Sequence, residues 1–267
     1  MSWEDSFQSW AEAPGETEQT KCDNAVRAIR KAIDASSALK SWSITVFPQG
    51  SYRNRTNVKA DSDVDVCVLC SDSLFSDLPE GMADSDFGLK PADYVYSQYK
   101  NDVEAALAAY FGKDGVTHGN KAFDILEGVA FVPDKGTRII NWPEQNYENG
   151  IAKNKATGQR LKGIVRILKR LWNRMADEDI AAATPIPSFL IECLVWNVPN
   201  DRFGHNTYNA DIRSALAYLF NQTMKVEDCK EWGEINDLKY LFHSSKPWTM
   251  EQAHQFMSAA WDYLGLE

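Results

Sequence analysis

The chain has 267 residues, of which 44% are hydrophobic and 25% are charged, and its formal net charge is -10. These values fit one large or two modest globular domains with room for a substantial core. The acidic charge argues against non-specific binding of long nucleic acid, because such binding needs a field of Lys and Arg side chains. No apolar run reaches the ~18 residues of a membrane span, and the acidic N-terminal stretch lacks the pattern of a signal peptide, so we expect a cytoplasmic protein.

The cysteines and histidines predict no metal centre. Five cysteines are an odd number, and they are spread along the chain. Cys67 and Cys70 form a C-x-x-C pair inside a strand-like run, but no second pair accompanies them, so we predict buried reduced thiols rather than a zinc site. The four histidines show no metal-ligand spacing, and we interpret them as structural or exposed.

The first half of the chain mixes helix and strand patterns. Residues 17–35 carry apolar side chains at helical spacing, and residues 43–47 are rich in β-formers. A short helix or turn over 51–58 separates this strand from a second one over 64–69. After a polar loop, the patterns predict a helix at 94–111, strands at 121–126, 129–132 and 138–142, and a turn at 147–150.

The second half reads as helical throughout. Residues 161–175 form a strongly amphipathic pattern, and residues 187–198 are almost entirely apolar. The second of these segments carries one acid, Glu192, and we expect this segment to be buried. Two more helices are predicted at 211–224 and 250–264. The fold class is therefore α+β, with a mixed part up to about residue 150 and a helical part after it.

Two short motifs carry the chemistry. Gly50-Ser51 ends the first strand and opens a basic turn; eleven residues separate Ser51 from Asp63-Val64-Asp65, which opens the second strand. Glycine lets the backbone approach phosphate, and N–H groups at such a turn bind anions. Alternate residues of a strand share a face, so two carboxylates are available to Mg²⁺. Either motif alone is a common turn or solvated strand end, but together they favour nucleotidyl transfer, which depends on positioning and charge neutralisation.

The longer string from Gln49 to Val66, Q-G-S-Y-R-N-R-T-N-V-K-A-D-S-D-V-D-V, resembles the polymerase β-like nucleotidyltransferase superfamily. It is similar in particular to the bacterial cGAS/DncV-like nucleotidyltransferases (CD-NTases). Three stretches, at 141–154, 161–169 and 187–199, resemble clade E of that family. The resemblance implies a polymerase β-like catalytic core over residues 1–150, with a small, mixed, twisted sheet and helices, and a C-terminal helical nucleotide-binding lobe over 151–267. The N-terminal helix could span both parts.

The function implied by this resemblance is cyclic dinucleotide synthesis. Two nucleoside triphosphates, UTP and ATP among them, would be joined with release of pyrophosphate, and an effector protein of CBASS anti-phage defence would read the product. From the acidic charge and the lack of a long apolar run we expect neither long nucleic acid nor a membrane as partner, and we expect a monomer. Two alternatives stay open: a transferase that modifies another acceptor, and an NTP-binding pseudoenzyme that lacks the third metal-binding carboxylate.

The family's roles map onto matching residues of the catalytic core. Gly50 and Ser51 would hold the donor triphosphate. Asp63 and Asp65 would hold two Mg²⁺ ions, with Mn²⁺ as a substitute, and two such ions can clamp the attacking and leaving oxygens.

The helical part contributes further predicted triphosphate contacts. Lys162, Arg166 and Lys169 form a basic stripe on the helix at 161–175, which on spacing alone could be a solvated face. The resemblance implies that a lysine here reaches the triphosphate, with Lys169 as the first choice and Lys162 as the second. Ser188 would line the same pocket.

Asn141 matches the clade E position that reads the nucleobase. The resemblance implies pyrimidine acceptance, since an amide offers both a donor and an acceptor to a uracil edge. The product would then be cyclic UMP-AMP or cyclic di-UMP. The alternative is an asparagine at a strand end that makes local backbone bonds.

The third carboxylate is the one departure from the family pattern. Asp124, in A-F-D-I-L, has the expected apolar context for an acid that completes the metal site and helps deprotonate the attacking hydroxyl. Relatives have a longer stretch here, with an additional strand before the acid. Either Asp124 is the third ligand, or the segment that carries the ligand is absent from this chain.

Overall fold

A computed structural model of the chain describes residues 2–58, 62–72, 81–91, 93–113, 116, 123–126, 128–131 and 139–266, and only the backbone at 123–126, 128–131 and 139–140. Its elements include both helices and strands up to residue 141 and are helical after it, which confirms the α+β class. In chain order they are α1 (Trp3–Ala11), α2 (Glu16–Asp34), β1 (Ile44–Gln49), α3 (Gly50–Asn54), β2 (Asp65–Cys70), α4 (Tyr96–Phe111), β3 (Phe123–Leu126), β4 (Gly128–Phe131), β5 (Ile139–Asn141), α5 (Pro143–Ala156), α6 (Leu161–Asp177), α7 (Ser188–Trp196), α8 (Tyr208–Gln222), α9 (Val226–Cys229) and α10 (Met250–Tyr263).

The chain forms two compact units, and neither is one continuous stretch. The first, which we call the helical unit, consists of Met1–Gly15, Ser51–Asp63 and Gln145–Glu267. The second, the sheet unit, consists of Glu16–Gly50 and Val64–Glu144. The assignment of a catalytic role to residues 1–150 and a nucleotide-binding role to 151–267 stays a prediction.

The described strands of the sheet unit pair in antiparallel fashion. β1 pairs with β2 from Ile44 opposite Cys70 to Gln49 opposite Asp65. β3, β4 and β5 form a second antiparallel set, and β3 lies beside β2 with Cα atoms within 8 Å. For β3 and β4 the antiparallel pairing follows from the single residue that connects them.

Side chains of helices α2 and α4 donate hydrogen bonds to the backbone of the first strand pair, β1 and β2. Arg30 donates to the backbone carbonyl of Val46 at 2.7 Å, and the Tyr99 hydroxyl donates to the carbonyl of Val68 at 2.8 Å. Cys67 and Cys70 on β2 are buried free thiols, as predicted. The two hydrogen bonds hold α2 and α4 against the strand pair at whose end Gly50 and Asp65 meet.

The helical unit is built around α6. Its apolar stripe is fully buried and packs against α1, α7, α8 and α10. Helix α1 was not predicted, although Phe7 on it is completely buried and a capping box joins Ser2 to Asp5. The Glu4 carboxylate accepts hydrogen bonds from the backbone N–H groups of Tyr208 and Asn209, where α8 begins.

The predicted turn at 147–150 is wrong, because these residues lie in the middle of α5. Pro143 starts this helix at a position where proline is well tolerated. Gly150 has open space around its α-carbon, and Asn149 donates to the carbonyl of Ile235 at 2.8 Å. Tertiary contacts therefore extend the helix through an Asn-Gly pair that would favour a turn in isolation. No helix in the described part of the chain has the length and apolarity that a membrane span requires.

Candidate active site

Gly50 and Asp65 meet where β1 and β2 end. Gly50 has φ +61°, a conformation that favours glycine, and it follows the last pair of the ladder, Gln49 opposite Asp65. A Cβ atom on Gly50 would lie 2.2 Å from Oδ2 of Asp65. The glycine is thus required both by its backbone conformation and by the carboxylate that lies against it.

The carboxylates of Asp63 and Asp65 are both exposed. The prediction had the strand begin at residue 64, whereas β2 begins at Asp65, so Asp63 lies just before the strand. Two carboxylates separated by one residue supply the hard oxygen ligands that Mg²⁺ prefers.

Asp124 lies on β3, opposite Ala130 of β4. Because β3 runs beside β2, the strand that carries Asp124 lies next to the strand that begins with Asp65. The side chain of Asp124 is outside the described residues. Among the side chains that are described, no three acidic, histidine or cysteine residues form a group that could hold a metal ion.

Asn141 is the last residue of β5, opposite Val129, and its side chain is exposed. It lies two residues before α5 begins. An exposed amide at a strand end can present its donor and acceptor to a ligand. The sheet unit therefore contains Gly50, Asp65, Asp124 and Asn141 of the predicted site residues.

Two of the three residues of the basic stripe, Arg166 and Lys169, are buried, so the stripe is not a solvated face. Lys169 is 3% exposed and forms an ion pair with Glu192 of α7. Arg166 is also buried, and it donates from Nη1 to the carbonyl of Arg55 at 2.6 Å and from Nε to the carbonyl of Ala11 at 3.0 Å. Burial lowers the pKa of Arg166 to about 10.

Lys162 has a more open environment at the start of α6. It is half-buried and lines a small, partly open pocket within the helical unit, together with Asn54, Thr56, Tyr147, Glu192 and Trp196. Its ammonium lies 5.9 Å from the ring centroid of Tyr147.

The electrostatic surroundings of Lys162 disfavour its charged form. Burial is the main cause of a lowered pKa, the neighbouring Arg55 and Arg166 lower it further, and Glu192 opposes them. An anion that approaches Lys162 would relieve this repulsion. Lys162 is thus more accessible than Lys169, which is buried and paired with Glu192. Which of the two lysines contacts a triphosphate stays a prediction.

Ser51 and Ser188 both belong to the helical unit, as do Lys162 and Lys169. Ser51 is half-buried in α3, and its carbonyl accepts a hydrogen bond from the N–H of Thr56 at 2.9 Å. Ser188 is half-buried and is the first residue of α7, directly after Pro187. Both hydroxyl groups are thus carried by residues at or near the beginning of helices.

The contacts of Thr56 were not predicted from the sequence. Its hydroxyl donates to Oε1 of Glu192 at 2.8 Å, and both residues are 5% exposed. The available signal was Glu192 itself, since a single acid in an apolar helix needs a buried partner. The burial of Glu192 was predicted correctly, but Thr56 and Lys169 were not recognised as its partners.

The chain is similar to known proteins over nearly its whole length. Residues 148–265 match the family described as cGAS/DncV-like nucleotidyltransferase C-terminal helical domain. A cyclic dipyrimidine nucleotide synthase, CdnE, of Legionella pneumophila is 42% identical over 294 positions, which cover 99% of this chain and 98% of that protein. That alignment is longer than this chain, so the relative contains residues that have no counterpart here.

Two solved structures resemble the fold closely. The CdnE cyclic dinucleotide synthase of Elizabethkingia meningoseptica, solved with GTP and Apcpp, is 31% identical with a TM-score of 0.81 and covers 98% of each chain. The CdnE c-UMP-AMP synthase of Rhodothermus marinus, solved with Apcpp and Upnpp, is 26% identical with a TM-score of 0.82 and covers 98% of this chain and 97% of the other. Together with the fold and the Gly50–Asp65 arrangement, these similarities establish that the chain belongs to the cGAS/DncV-like nucleotidyltransferase family.

Proposed function

We propose that this protein is a cyclic dinucleotide synthase that joins two nucleoside triphosphates and releases pyrophosphate. The observation that carries the proposal is the 42% identity, over 99% of this chain, to a protein named as a cyclic dipyrimidine nucleotide synthase. The contact between Gly50 and the carboxylate of Asp65 supports it locally, because it joins the glycine turn to the acidic strand.

The proposed reaction has two successive transfers. A ribose hydroxyl of one triphosphate attacks the α-phosphate of the other, and pyrophosphate leaves. The linear product then turns over, and its free ribose hydroxyl attacks the remaining α-phosphate, which closes the ring and releases a second pyrophosphate. We assign Ser51, Ser188 and Lys162 to the donor triphosphate, with Gly50 allowing the backbone to approach it. Most of the catalysis is then positioning and charge neutralisation, as in other phosphoryl transfers.

Asp63 and Asp65 are the residues proposed to hold Mg²⁺, or Mn²⁺ in its place. When bound, such ions neutralise phosphate charge and lower the pKa of the attacking hydroxyl. The carboxylates suit this role because both residues are exposed and only Val64 separates them in the sequence. Asp124, on the strand beside β2, is the candidate third carboxylate.

Asn141 is proposed to select the nucleobase. Its exposed amide can pair with the uracil edge, and the relatives include enzymes named for pyrimidine products. We therefore expect UTP in at least one position, which gives cyclic UMP-AMP or cyclic di-UMP. Such a product would act in the cytoplasm as a signal in anti-phage defence, read by an effector protein, and the synthase itself would be monomeric.

The direct test is to incubate the protein with Mg²⁺ and each pair of nucleoside triphosphates. We expect a uridine-containing product that resists phosphatase and a release of pyrophosphate. A cyclic product without uridine would refute the assignment of Asn141. A product that phosphatase degrades, or transfer to another acceptor, would instead favour the alternative transferase.

A second candidate function is nucleotide binding without turnover. The specific observation in its favour is that Leu126 of β3 pairs with Gly128 of β4, so one residue separates the two strands, while the Legionella relative has residues without a counterpart here. The segment that carries the third acid in relatives could therefore be absent. Calorimetric titration with UTP beside a pyrophosphate-release assay decides between binding alone and catalysis.

A further inference from the structure

The buried ion pair between Lys169 and Glu192 is the feature that the proposed function leaves unexplained. Both side chains lie inside the helical unit, with 3% and 5% of their surfaces exposed, and the rest of α7 is almost wholly apolar. A buried ion pair is a weak source of stability, because desolvation of the two charges offsets much of their attraction. Its presence on a helix that is otherwise almost wholly apolar points to a structural task that hydrophobic residues could not perform.

The carboxylate of that ion pair also holds the segment that follows the Gly50-Ser51 turn. Thr56 Oγ1 donates to Glu192 Oε1 at 2.8 Å. The backbone N–H of the same Thr56 donates to the carbonyl of Ser51 at 2.9 Å. A continuous series of buried polar contacts thus runs from Lys169 through Glu192 and Thr56 to the backbone of Ser51.

Arg166 provides a parallel contact to the neighbouring residue. Its Nη1 donates to the carbonyl of Arg55 at 2.6 Å, and its other nitrogens bind the carbonyl of Ala11. Arg55 has φ +55°, a conformation that is uncommon for a residue with a side chain and that persists where the surroundings hold it. Two side chains of α6 and one of α7 therefore fix residues 55 and 56.

We infer that Glu192, held in place by Lys169, is a positioning residue that sets the location of Ser51 through Thr56. This inference rests on the proposed function, in which Ser51 contacts the donor triphosphate. Lys169 then acts through Glu192, and its buried ammonium is separate from the triphosphate contact that we assign to Lys162. Because displacement of a substrate-positioning group by about 1 Å can reduce the rate roughly 100-fold, one lost hydrogen bond at Thr56 has a measurable effect on catalysis.

Thr56→Val is the most direct test, since it removes the hydroxyl and keeps the shape of the side chain. We expect kcat/KM to fall about 10- to 100-fold, with the loss shared between kcat and KM, and Thr56→Ser to restore most of it. Thr223→Val is the matched control, because Thr223 is also buried and its hydroxyl donates to the carbonyl of Leu219 at 2.8 Å. This control is expected to change thermal stability but not the kinetic constants.

The ion pair is tested by Glu192→Gln, alone and combined with Thr56→Val. If Glu192 acts through Thr56, the double variant is no slower than the slower of the two single variants. A multiplied loss in the double variant would overturn the inference. So would Thr56→Val with a lower melting temperature but wild-type kcat and KM, because that result would make the contact merely structural.

Binding of Upnpp, measured by calorimetry, separates this inference from the proposed function. If the wild-type protein binds Upnpp but forms no product, the proposed synthase activity fails while the positioning role is still measured by affinity. Thr56→Val should then weaken Upnpp binding about 10-fold and Thr56→Ser should not. Equal affinities of the wild type and Thr56→Val would refute the inference, whatever the turnover.

Discussion

The α-carbon of Gly50 lies so close to the carboxylate of Asp65 that an added methyl group would be 2.2 Å from Asp65 Oδ2. Gly50→Ala is therefore expected to displace Asp65 and to reduce turnover at least about 100-fold. Gly158→Ala is the matched control, because Gly158 has φ +60° against +61° for Gly50 and has no atom within 4 Å of the added Cβ. It carries the same backbone strain, about 1 kcal/mol, without the collision. Wild-type turnover in Gly50→Ala would contradict the prediction.

Asp63→Asn and Asp65→Asn are expected to abolish turnover while leaving the fold intact, since both side chains are exposed. Loss of metal-assisted charge stabilisation costs several kcal/mol, which corresponds to a rate reduction of at least about 1,000-fold. Pyrophosphate release measures the rate, and removal of divalent ions with EDTA should reproduce the loss in the wild type. Asp177→Asn, at the exposed end of α6, serves as the control and should retain full activity.

Lys162→Met is expected to weaken binding of the triphosphate about 10- to 100-fold, the value of one or two kcal/mol from a charged contact. Thermal stability should not fall, because burial and two arginines already disfavour the ammonium. The lowered pKa also sets a pH dependence: NTP affinity should decline at a pH below that at which an ordinary lysine, with a pKa of 10.5, loses its proton. Titrations of wild type, Lys162→Met and the exposed Lys155→Met against pH measure both effects.

Asn141→Ser is expected to change the nucleobase preference without changing stability. A small hydroxyl residue leaves room for a purine and removes one of the two amide contacts to uracil, so UTP use should fall about 10-fold relative to ATP and GTP. Product analysis from mixed triphosphates measures the ratio. Asn101→Ser, on the exposed face of α4, should keep the wild-type ratio, and an unchanged ratio in Asn141→Ser would show that this side chain makes only local bonds.

Lys153 is expected to make the stability of the protein rise with pH in the alkaline range. Burial lowers its pKa to about 8, and its ammonium donates to the carbonyl of Trp196. Between about pH 8 and the unfolded value near 10.4, the unfolded chain binds more protons, so the free energy of unfolding increases with pH. The difference between wild type and Lys153→Met, measured by urea unfolding at several pH values, should show this slope. Lys155→Met, on the exposed face of the same helix, should not alter it.

Sequence periodicity was sufficient for elements whose burial follows from their own pattern. The apolar stripe of α6 and the apolar run of α7 were both predicted, and the structure confirms their burial. Helices α1 and α5 were missed for a physical reason: their helical state depends on distant contacts. Phe7 packs in the hydrophobic core that surrounds α6, and Asn149 donates to the carbonyl of Ile235. The sequence near α1 and α5 does not reveal these distant partners.

The candidate site divides in the same way. Gly50 and Asp65 were both predicted as site residues from their motifs. They lie together because the strands that these motifs flank pair with each other and the ladder ends at that position. The contact between Lys169 and Glu192 required knowledge of which faces of α6 and α7 meet, and its continuation to Thr56 spans 136 residues of sequence. Basic residues at helical spacing look alike on a solvated and on a buried face until such partners are known.

The composition of the helical unit from three separate stretches limits how this protein can be recombined. Residues 145–267 alone would lack Phe7 from the core and Thr56 from the Glu192 contact. An exchange of helical units between relatives would have to transfer the first 15 residues and the stretch from Ser51 to Asp63 as well. Ser51 and Asp63, half of the Gly-Ser and Asp-x-Asp motifs, would therefore be inherited together with the lobe that holds Lys162 and Ser188.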